Sequence, residues 1–409
     1  MRSSVVVVSY QPDEWLEAAL SAAAAQADQV VLVDNGSAEG AASAIGRRVG
    51  VDLLRLDRNV GFPAGVNAGV HRADGDVIAL LNDDAVPETG WIASAAAVLV
   101  DADVAAVAPK LLLASTFAEL RFDDDEWEQP PDPRRLGRRL HAATVGGRDV
   151  LPLLVGGVHR LEEGIIDGQE TRWRWTSGRD AIYVPLDDEA DHDRIVINGD
   201  RVAAVRAVRL VNNAGSYLSS EGHGGDRGWE TPDDGQFDER RECFAACGAA
   251  AAFTRDSWVR VGRFAESFFA YYEDVDWCWR ARLGGQRIVY DPAATVCHIR
   301  SATSGGQGDL KVRGWSGRNR LHALARNAPL HVVRHQLGRT READHPPELH
   351  RAAARRVARG LVERVALRRR WKLGPTEVWD QWAGIDERWH DPGRSSSRQG
   401  LPPRLEFGG

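Results

Sequence analysis

The chain has 409 residues, 43% of them hydrophobic and 27% charged, with a net charge of −7. That is the profile of a folded globular protein with more than one structural unit, and its acidic balance offers no global field for a nucleic-acid partner. No run approaches the ~20 apolar residues of a membrane span. The apolar run in MRSSVVVVSYQPDEW is too short for a signal peptide, so a cytoplasmic protein is expected. Cys243, Cys247, Cys278 and Cys297 form no CxxC pair and match no zinc spacing; they read as buried free thiols in a reducing compartment.

Val5–Val8 is a β-branched run and predicts a strand, closed by Ser9-Tyr10. Pro12-Asp13-Glu14 opens a helix to about Ala25, with proline and acids suited to its first turn. Gln29–Val33 predicts a second strand, ending in Asp34-Asn35-Gly36-Ser37. This βαβ unit implies a parallel sheet, and it lacks the GxGxxG turn that would suggest NAD or FAD. Asp34 is suited to accept from a nucleobase N–H or a ribose hydroxyl, or else forms an Asx turn with Gly36.

Val51–Leu56 predicts a third strand, followed by RNVGFPAGVNAG, Arg58–Gly69. Small residues there let a backbone or a helix N-terminus approach a phosphate or sugar. Asn59 and Asn67 offer neutral hydrogen-bonding side chains, with turn and cap chemistry as the alternative. A helix over Ala64–His71 then precedes VIALLNDDAVP, Val77–Pro87. Its uninterrupted apolar half predicts a strand buried on both faces. Asn82-Asp83-Asp84 follow at once, and adjacent carboxylates at the end of a buried strand suit a hard divalent cation shared with substrate phosphates. Asp84 is the expected ligand. The alternative is that the two acids start a turn and cap the helix Trp91–Val100.

Taken in order, VVVVSY, VLVDNGS, RNVGFPAGVNAG and LLNDDAVPETGW resemble the family 2 glycosyltransferases of GT-A fold, over Val5–Trp91 and again further on. The resemblance implies that the first strands and loops hold a nucleoside-diphosphate sugar, UDP- or dTDP-linked. That places Ser9, Tyr10, Asp34, Asn35, Asn59, Gly61, Asn67, Asn82 and Asp83 at the donor. It also implies Mn²⁺ or Mg²⁺ between the acidic motif and the two phosphates. Many members carry Asp first in that motif; here Asn82 stands first, so the metal contact falls on Asp84, with Asp83 secondary. The Asn82 form resembles the branch with bacterial rhamnosyl- and galactofuranosyltransferases, and hence a glycan or polyprenyl-linked acceptor of the cell envelope.

Val104–Leu113 predicts another strand. From 115 to 240 the character changes. Asp123–Glu128 and Pro130–Pro133 interrupt any helix, and Arg194–Ile197 and Val202–Val211 read as sheet edges or as a hairpin with Asn198-Gly199 near its turn. An inserted β-rich subdomain is expected, forming either a wall of the acceptor site or a stabilising or oligomer-forming decoration. Trp173 and Trp175 are suited to stack on a sugar or simply to pack.

Phe268–Tyr272 delivers EDVDWCWR, Glu273–Arg280, and a helix from about Asp274 to Gly284-Gly285. Asp276 and Arg280 can pair at i,i+4, leaving Asp274 or Glu273 for the site. The resemblance makes Asp274, second acid of the Glu-Asp motif, the catalytic base, beside Glu273; the alternative is that the acids only cap the helix. Arg287–Tyr290 and Ala294–Ile299 predict strands that bring in His298, either a core histidine or the second metal ligand that the resemblance implies. The glycine-rich Ser301–Gly308 reads as a flap, and Arg318-Asn319-Arg320 as neighbours of the pyrophosphate or part of a solvated helix face.

After Pro329 the chain reads as helical and basic. Arg351–Lys372 alternates Arg with Ala, Val and Leu, as a peripheral membrane helix, a helix on an acidic partner or a solvated helix would. The expected class is α/β, a GT-A nucleotide-diphospho-sugar transferase fold with a Rossmann-like mixed sheet. Its parts are a nucleotide-sugar half (1–114), the β-rich insertion (115–240), an acceptor and catalytic half (241–315), a helical basic extension (316–391) and a disordered tail (392–409). The expected reaction is an inverting, metal-dependent sugar transfer. The rivals are a nucleotidyltransferase, which would need an early Gly-rich loop with Lys or Arg, and a non-catalytic sugar-nucleotide-binding protein.

Overall fold

A computed structural model describes residues 1–122, 127–128, 134–166, 169–177, 180–187, 189–299, 310–342 and 347–385. The expected flap Ser301–Gly308, most of Asp123–Pro133 and the tail 392–409 lie outside the described residues.

The chain opens as β1 (Ser3–Ser9), α1 (Leu16–Ala24), β2 (Gln29–Asp34), α2 (Ala41–Val49), β3 (Asp52–Arg55), α3 (Phe62–Arg72), β4 (Val77–Asn82), β5 (Ala85–Pro87), α4 (Trp91–Val98) and β6 (Val104–Leu120). β4 shows why its sequence has no polar interruption. Val77, Ala79 and Leu81 enter one core, while Ile78 and Leu80 enter another on the opposite face. Strand geometry sends alternate side chains to opposite faces, so both faces must be apolar. β1 lies parallel between β2 and β4, pairing Ser9 with Asp34 and Val8 with Asn82. Three strand ends therefore finish together on the carboxyl side of the sheet, where open α/β sheets bind ligands.

The glycines of α3 serve a different purpose from the expected approach to a phosphate. A Cβ on Gly69 would lie 2.3 Å from Val6 Cγ1, and one on Gly65 would lie 2.7 Å from Val8 Cγ1. Their i,i+4 spacing lets α3 press its backbone onto β1.

β6 runs unbroken from Val104 to Leu120, past the expected boundary at 114/115. Its far half pairs antiparallel with β7 (Ile182–Leu186) on one side and β8 (Arg206–Asn213) on the other. The insertion thus grows out of the main sheet rather than hanging from a linker. Ile195–Ile197 pairs with Asp200-Arg201 around Asn198-Gly199, the expected turn, but Arg206–Asn213 goes to β6 instead of completing that hairpin. β9 (Ser216–Leu218) and β10 (Gly224–Asp226) form a short hairpin that returns the chain to the centre.

β11 (Ala250–Thr254) then enters antiparallel between β4 and β6. It leads to α5 (Arg255–Val261), α6 (Glu273–Leu283) and β12 (Arg287–His298). β12 is one strand rather than two, with an irregularity between Asp291 and Thr295. α7 (Leu310–Asn327), α8 (Leu330–Glu342), α9 (Pro347–Leu367) and α10 (Pro375–Trp382) complete the fold. Among the described residues no helix is long and apolar enough to cross a membrane. The basic stretch 351–372 divides by face. Arg356 and Arg364 turn inward onto the carbonyls of Ser267, Ala325 and Ala328, whereas Arg351, Arg355, Arg359 and Arg368–Arg370 are exposed.

Candidate functional site

The first corner of the site forms where β4 ends. β5 pairs antiparallel with β12, setting Ala85 opposite His298. The backbone carbonyl of Asp84 accepts from Ile299 N at 2.8 Å. This register brings His298 Nε2 to 3.2 Å from Asp84 Oδ1 and to 3.5 Å from Asn82 Nδ2. On the other side of the ring, His298 Nδ1 lies 2.8 Å from Asn212 Oδ1. A carbonyl oxygen only accepts, so Nδ1 carries a proton and the other ring nitrogen, Nε2, is turned toward the Asp84 carboxylate. In the neutral ring that metal ligation requires, Nε2 presents a lone pair to it. Asp84 is 3% exposed, and its Oδ1 receives no hydrogen bond.

Two acceptors facing each other inside a protein are costly unless a cation lies with them. One carboxylate oxygen and one imidazole nitrogen suit Mn²⁺ or Mg²⁺, with phosphate oxygens and water supplying the remaining positions. Among the described residues no group of three His, Cys, Asp or Glu could hold a metal unaided. The donor set therefore fits a cation shared with an anionic ligand rather than a closed structural site. Asp83 is buried beside this corner. Burial pushes its carboxyl up to about 7, with the Ser9 hydroxyl opposing the rise and the Asp84 charge adding to it. Tyr10, next along from Ser9, is 40% exposed.

The floor below β1 and β2 corrects two expected donor contacts. Asp34 is fully buried, with its oxygens occupied by Ser37 N at 2.8 Å and by Ser43 N and Oγ. Burial raises its carboxyl, but the Ser43 and Ser37 donors win and hold it below the usual range. Asp34 is thus the turn-forming residue of the alternative reading. Asn67 likewise has both ends of its amide on Phe264, accepting from its N–H and donating to its carbonyl, each at 3.0 Å. It fastens α3 to the second half of the chain.

Asn35 and Asn59 build the adjacent turn. Asn35 Nδ2 donates to Asn59 Oδ1 at 3.2 Å, and Val60 N donates to Asn35 Oδ1 at 3.0 Å. Gly61 N donates to Asn59 Oδ1 at 2.9 Å. Gly61 sits at φ +87°, and a Cβ there would come 2.6 Å from Phe269 O. Only glycine suits both demands, and Phe62 N then donates to that carbonyl at 2.8 Å. The first half of the chain is clamped onto the segment that delivers the acidic helix.

That segment is strained. Phe269, Tyr271 and Tyr272 all have positive φ, at 65°, 67° and 74°, which for aromatic residues requires support from the surroundings. Asn319 of α7 provides it. Its Nδ2 lies within 2.9 Å of the carbonyls of Phe268, Ala270 and Tyr271. Trp315 packs its ring on Phe269 and Tyr271. Arg318, between them, is half-buried and stands near Arg356; burial first and that second cation next lower its guanidinium.

α6 starts directly after the strained residues. Gly248 N donates to Asp274 Oδ2 at 2.7 Å. The next residue, Ala249, accepts from Asn82 N at 2.8 Å. A single tight turn, 247–249, therefore separates the anchor of Asp274 from the strand end that carries Asn82. Burial raises the Asp274 carboxyl above its ordinary range, against the Gly248 and Val275 N–H groups, and Asp226 adds to the rise. Glu273 is 5% exposed, its Oε2 has no hydrogen bond, and burial and Asp274 push its carboxyl well up. Asp276 has the opposite character. Arg280 binds it at 2.9 Å as the spacing predicts, and Arg326 at 2.6 Å and Asn327 at 2.8 Å join from α7.

Residues 4–145 match the family model described as glycosyl transferase family 2. No curated protein sequence matches the chain. Among solved structures, GalNAc-T7, crystallised with UDP, GalNAc and Mn²⁺, is similar at a TM-score of 0.51 and 13% identity, over 90% of this chain and 57% of its own. The chain thus spans little more than half of that protein, and the likeness is one of fold. A mannosyltransferase from Pyrobaculum calidifontis, in complex with GDP-Man and Mn²⁺, aligns at a TM-score of 0.43 and 14% identity, over 99% of this chain and 85% of its own. The fold is GT-A: a mixed sheet, largely parallel, with added strands and C-terminal helices.

The family match covers the half that holds Asn82, Asp83 and Asp84, and stops before α6 and β12. Tertiary structure joins the two halves, bringing His298 to Asp84 and Asp274 to the turn beside Asn82. Sequence reasoning missed Asn212, Gly248 and Arg326, and it set Asn319 beside the pyrophosphate, whereas its amide holds the carbonyls of Phe268, Ala270 and Tyr271. The Asn212-Asn213 pair in VNNAGSY was the only visible hint, since adjacent asparagines in an apolar strand need partners.

Proposed function

We propose that the protein is a family 2 glycosyltransferase that moves a sugar from a nucleoside diphosphate to an acceptor hydroxyl, with inversion. The carrying observation is His298 Nε2 facing the buried Asp84 Oδ1 across 3.2 Å, one tight turn away from a carboxylate anchored on Gly248. Asp84 and His298 would hold Mn²⁺ or Mg²⁺. When bound, such an ion supplies Lewis-acid neutralisation of the charge that develops on a diphosphate leaving group.

The chain's own residues do the rest. Asp274 takes the proton of the acceptor hydroxyl; a raised carboxyl pKa makes it a better base than an ordinary aspartate, so long as it is ionised. The hydroxyl oxygen bonds to the anomeric carbon as the bond from that carbon to the diphosphate breaks on the opposite face. A single displacement of this kind inverts the centre. Burial and the neighbouring Asp274 push the Glu273 carboxyl up, which opposes a second negative charge in the corner. Ser9, Asn82 and Asp83 are read as the donor side, the Asn35–Asn59–Gly61 turn as its floor, and Arg318 as the cation for the diphosphate.

We further read the donor as UDP- or dTDP-linked rhamnose or galactofuranose, supported by Asn82 in the first place of the acidic motif. The acceptor is read as a cell-envelope glycan or its polyprenyl-linked precursor, reached from the cytoplasmic face. The outer face of α9 supports contact with an anionic membrane surface. Val362 and Val365 there are 73% and 69% exposed amid the outward arginines, a pattern suited to an interfacial helix.

The test is turnover of a panel of UDP-, dTDP- and GDP-sugars with Mn²⁺ or Mg²⁺, reading released nucleoside diphosphate. Metal-dependent release from one donor, lost in Asp84→Ala and Asp274→Asn, is expected. Metal-dependent donor binding unaffected by Asp274→Asn, with no release in the presence of any glycan acceptor, would favour a binding protein instead.

A further inference from the structure

β8 carries two consecutive asparagines with opposite duties. Asn212 is 6% exposed and reaches His298 Nδ1 at 2.8 Å. Asn213 points the other way, donating to Asp226 Oδ1 at 2.7 Å and to Ser216 Oγ at 2.9 Å. Alternation along a strand explains the split. A regular strand would not deliver it here, because the register of β8 on β6 shifts twice, between Arg209 and Val211 and between Val211 and Asn213. Bulges of this kind re-aim side chains, often beside active sites.

The same stretch of β6 pairs with β12 on its other edge, setting Leu113 against His298. Asn212 and His298 therefore meet over β6, two strands apart. Arg209 reinforces the crossing, with Nη1 on Glu88 at 2.9 Å and Nη2 on Cys297 Sγ at 2.9 Å.

We propose that Asn212, delivered by the bulged strand of the insertion, is the positioning residue of the metal corner: it holds Nδ1–H of His298 and so turns the Nε2 lone pair toward Asp84. The insertion is then a working part of the site rather than a decoration. This rests on the metal reading above. A metal-ligating histidine depends on the group that takes its other ring proton, and loss of such a group typically costs about 10–100-fold in metal affinity.

The experiment compares wild type, Asn212→Leu and Asn212→Asp, each with and without UDP or dTDP, by Mn²⁺ titration followed in the EPR signal of the free ion, against a protein-free blank holding the same nucleotide. Asn212→Leu keeps the bulk and loses the acceptor; Asn212→Asp keeps an acceptor. The expected Kd rises about 10–100-fold in Asn212→Leu, with Asn212→Asp close to wild type. Asn212→Ala serves the same purpose should the leucine variant not fold. A second readout needs no metal. Long-range ¹H–¹⁵N correlation of ¹⁵N-histidine protein, with His298 assigned through His298→Gln, should show the Nδ1–H tautomer in wild type and Asn212→Asp only. A wild type that leaves Mn²⁺ as free as the blank, with either nucleotide and without, would overturn the metal reading and this proposal with it. A wild type that binds, matched by Asn212→Leu with the same affinity and the same tautomer, would overturn the role of Asn212 alone.

Discussion

Asp84 and Asp276 are both buried aspartates, yet the protein treats them in opposite ways. Asp276 is 0% exposed and receives Arg280, two bonds from Arg326 and one from Asn327. Those cations hold its carboxyl well below the usual range in spite of burial. Arg326 also reaches Glu363, which His322 and Arg359 bind in turn. The network rivets α7 and α9 to the helix that carries Asp274. Asp84 has the single imidazole nitrogen of His298 at 3.2 Å and, among the described residues, no arginine or amide on that oxygen. A buried carboxylate with every lone pair answered is structural. One left short of donors is prepared for something that arrives later.

The contrast can be broken in order of expected effect. Asp276→Ala should cost about 3–5 kcal/mol of stability, because it strands buried arginines without a counter-charge; urea unfolding reads this. Since the Asp276 pKa is depressed, its contribution is present above the ordinary carboxylate pKa and lost as pH falls through the folded value. Wild-type stability should therefore drop below about pH 4, a dependence missing from Asp276→Asn. An Asp276→Ala protein as stable as wild type would dissolve the distinction.

Asp274→Asn should lower turnover by about 10²–10⁴-fold, the range for loss of a general base, with the unfolding midpoint little changed. The raised carboxyl of Asp274 places the rising limb of the pH–rate profile above the ordinary aspartate range, because the base works only once ionised. A rate already flat from pH 4 would remove Asp274 from that role.

Asp84→Asn sharpens the comparison from the other side. Removing an unanswered charge and giving His298 Nε2 an N–H should leave metal-free stability equal to wild type or higher by about 1 kcal/mol. Mn²⁺ affinity should fall at least about tenfold, or 1.4 kcal/mol. A large loss of stability would show that Asp84 is structural after all. Glu363→Gln is the mildest change. Its carboxyl is held down to about 2, against burial, chiefly by His322 and Arg326, but the site is part-exposed, so about 1 kcal/mol is expected. Thermal unfolding at pH 7 should show that loss, and it should vanish toward pH 2, where the wild-type glutamate is also protonated.

Where local rules were enough, the sequence read well. The unbroken apolar run of Val77–Leu81 predicted a strand with two covered faces, and the i,i+4 spacing of Asp276 and Arg280 predicted a pair along one helix face, as found. Asp34 and Asn67 were legible only as polar residues in turn-rich stretches. Whether their side chains face a ligand or the backbone depends on Ser43 and Phe264, which no local pattern brings near.

By itself the sequence determined the βαβ start, the acids at the end of β4 and at the start of α6, and thus the kinds of group available for chemistry. These follow from periodicity and from the chemistry of neighbouring residues. Tertiary structure decided which groups meet. The antiparallel register of β5 on β12 sets His298 beside Asp84, the 247–249 turn ties Asp274 to the end of β4, and the shifted register of β8 brings in Asn212. Register and bulges are set by packing over the whole sheet, and a one-residue slip would send each of these side chains to the opposite face.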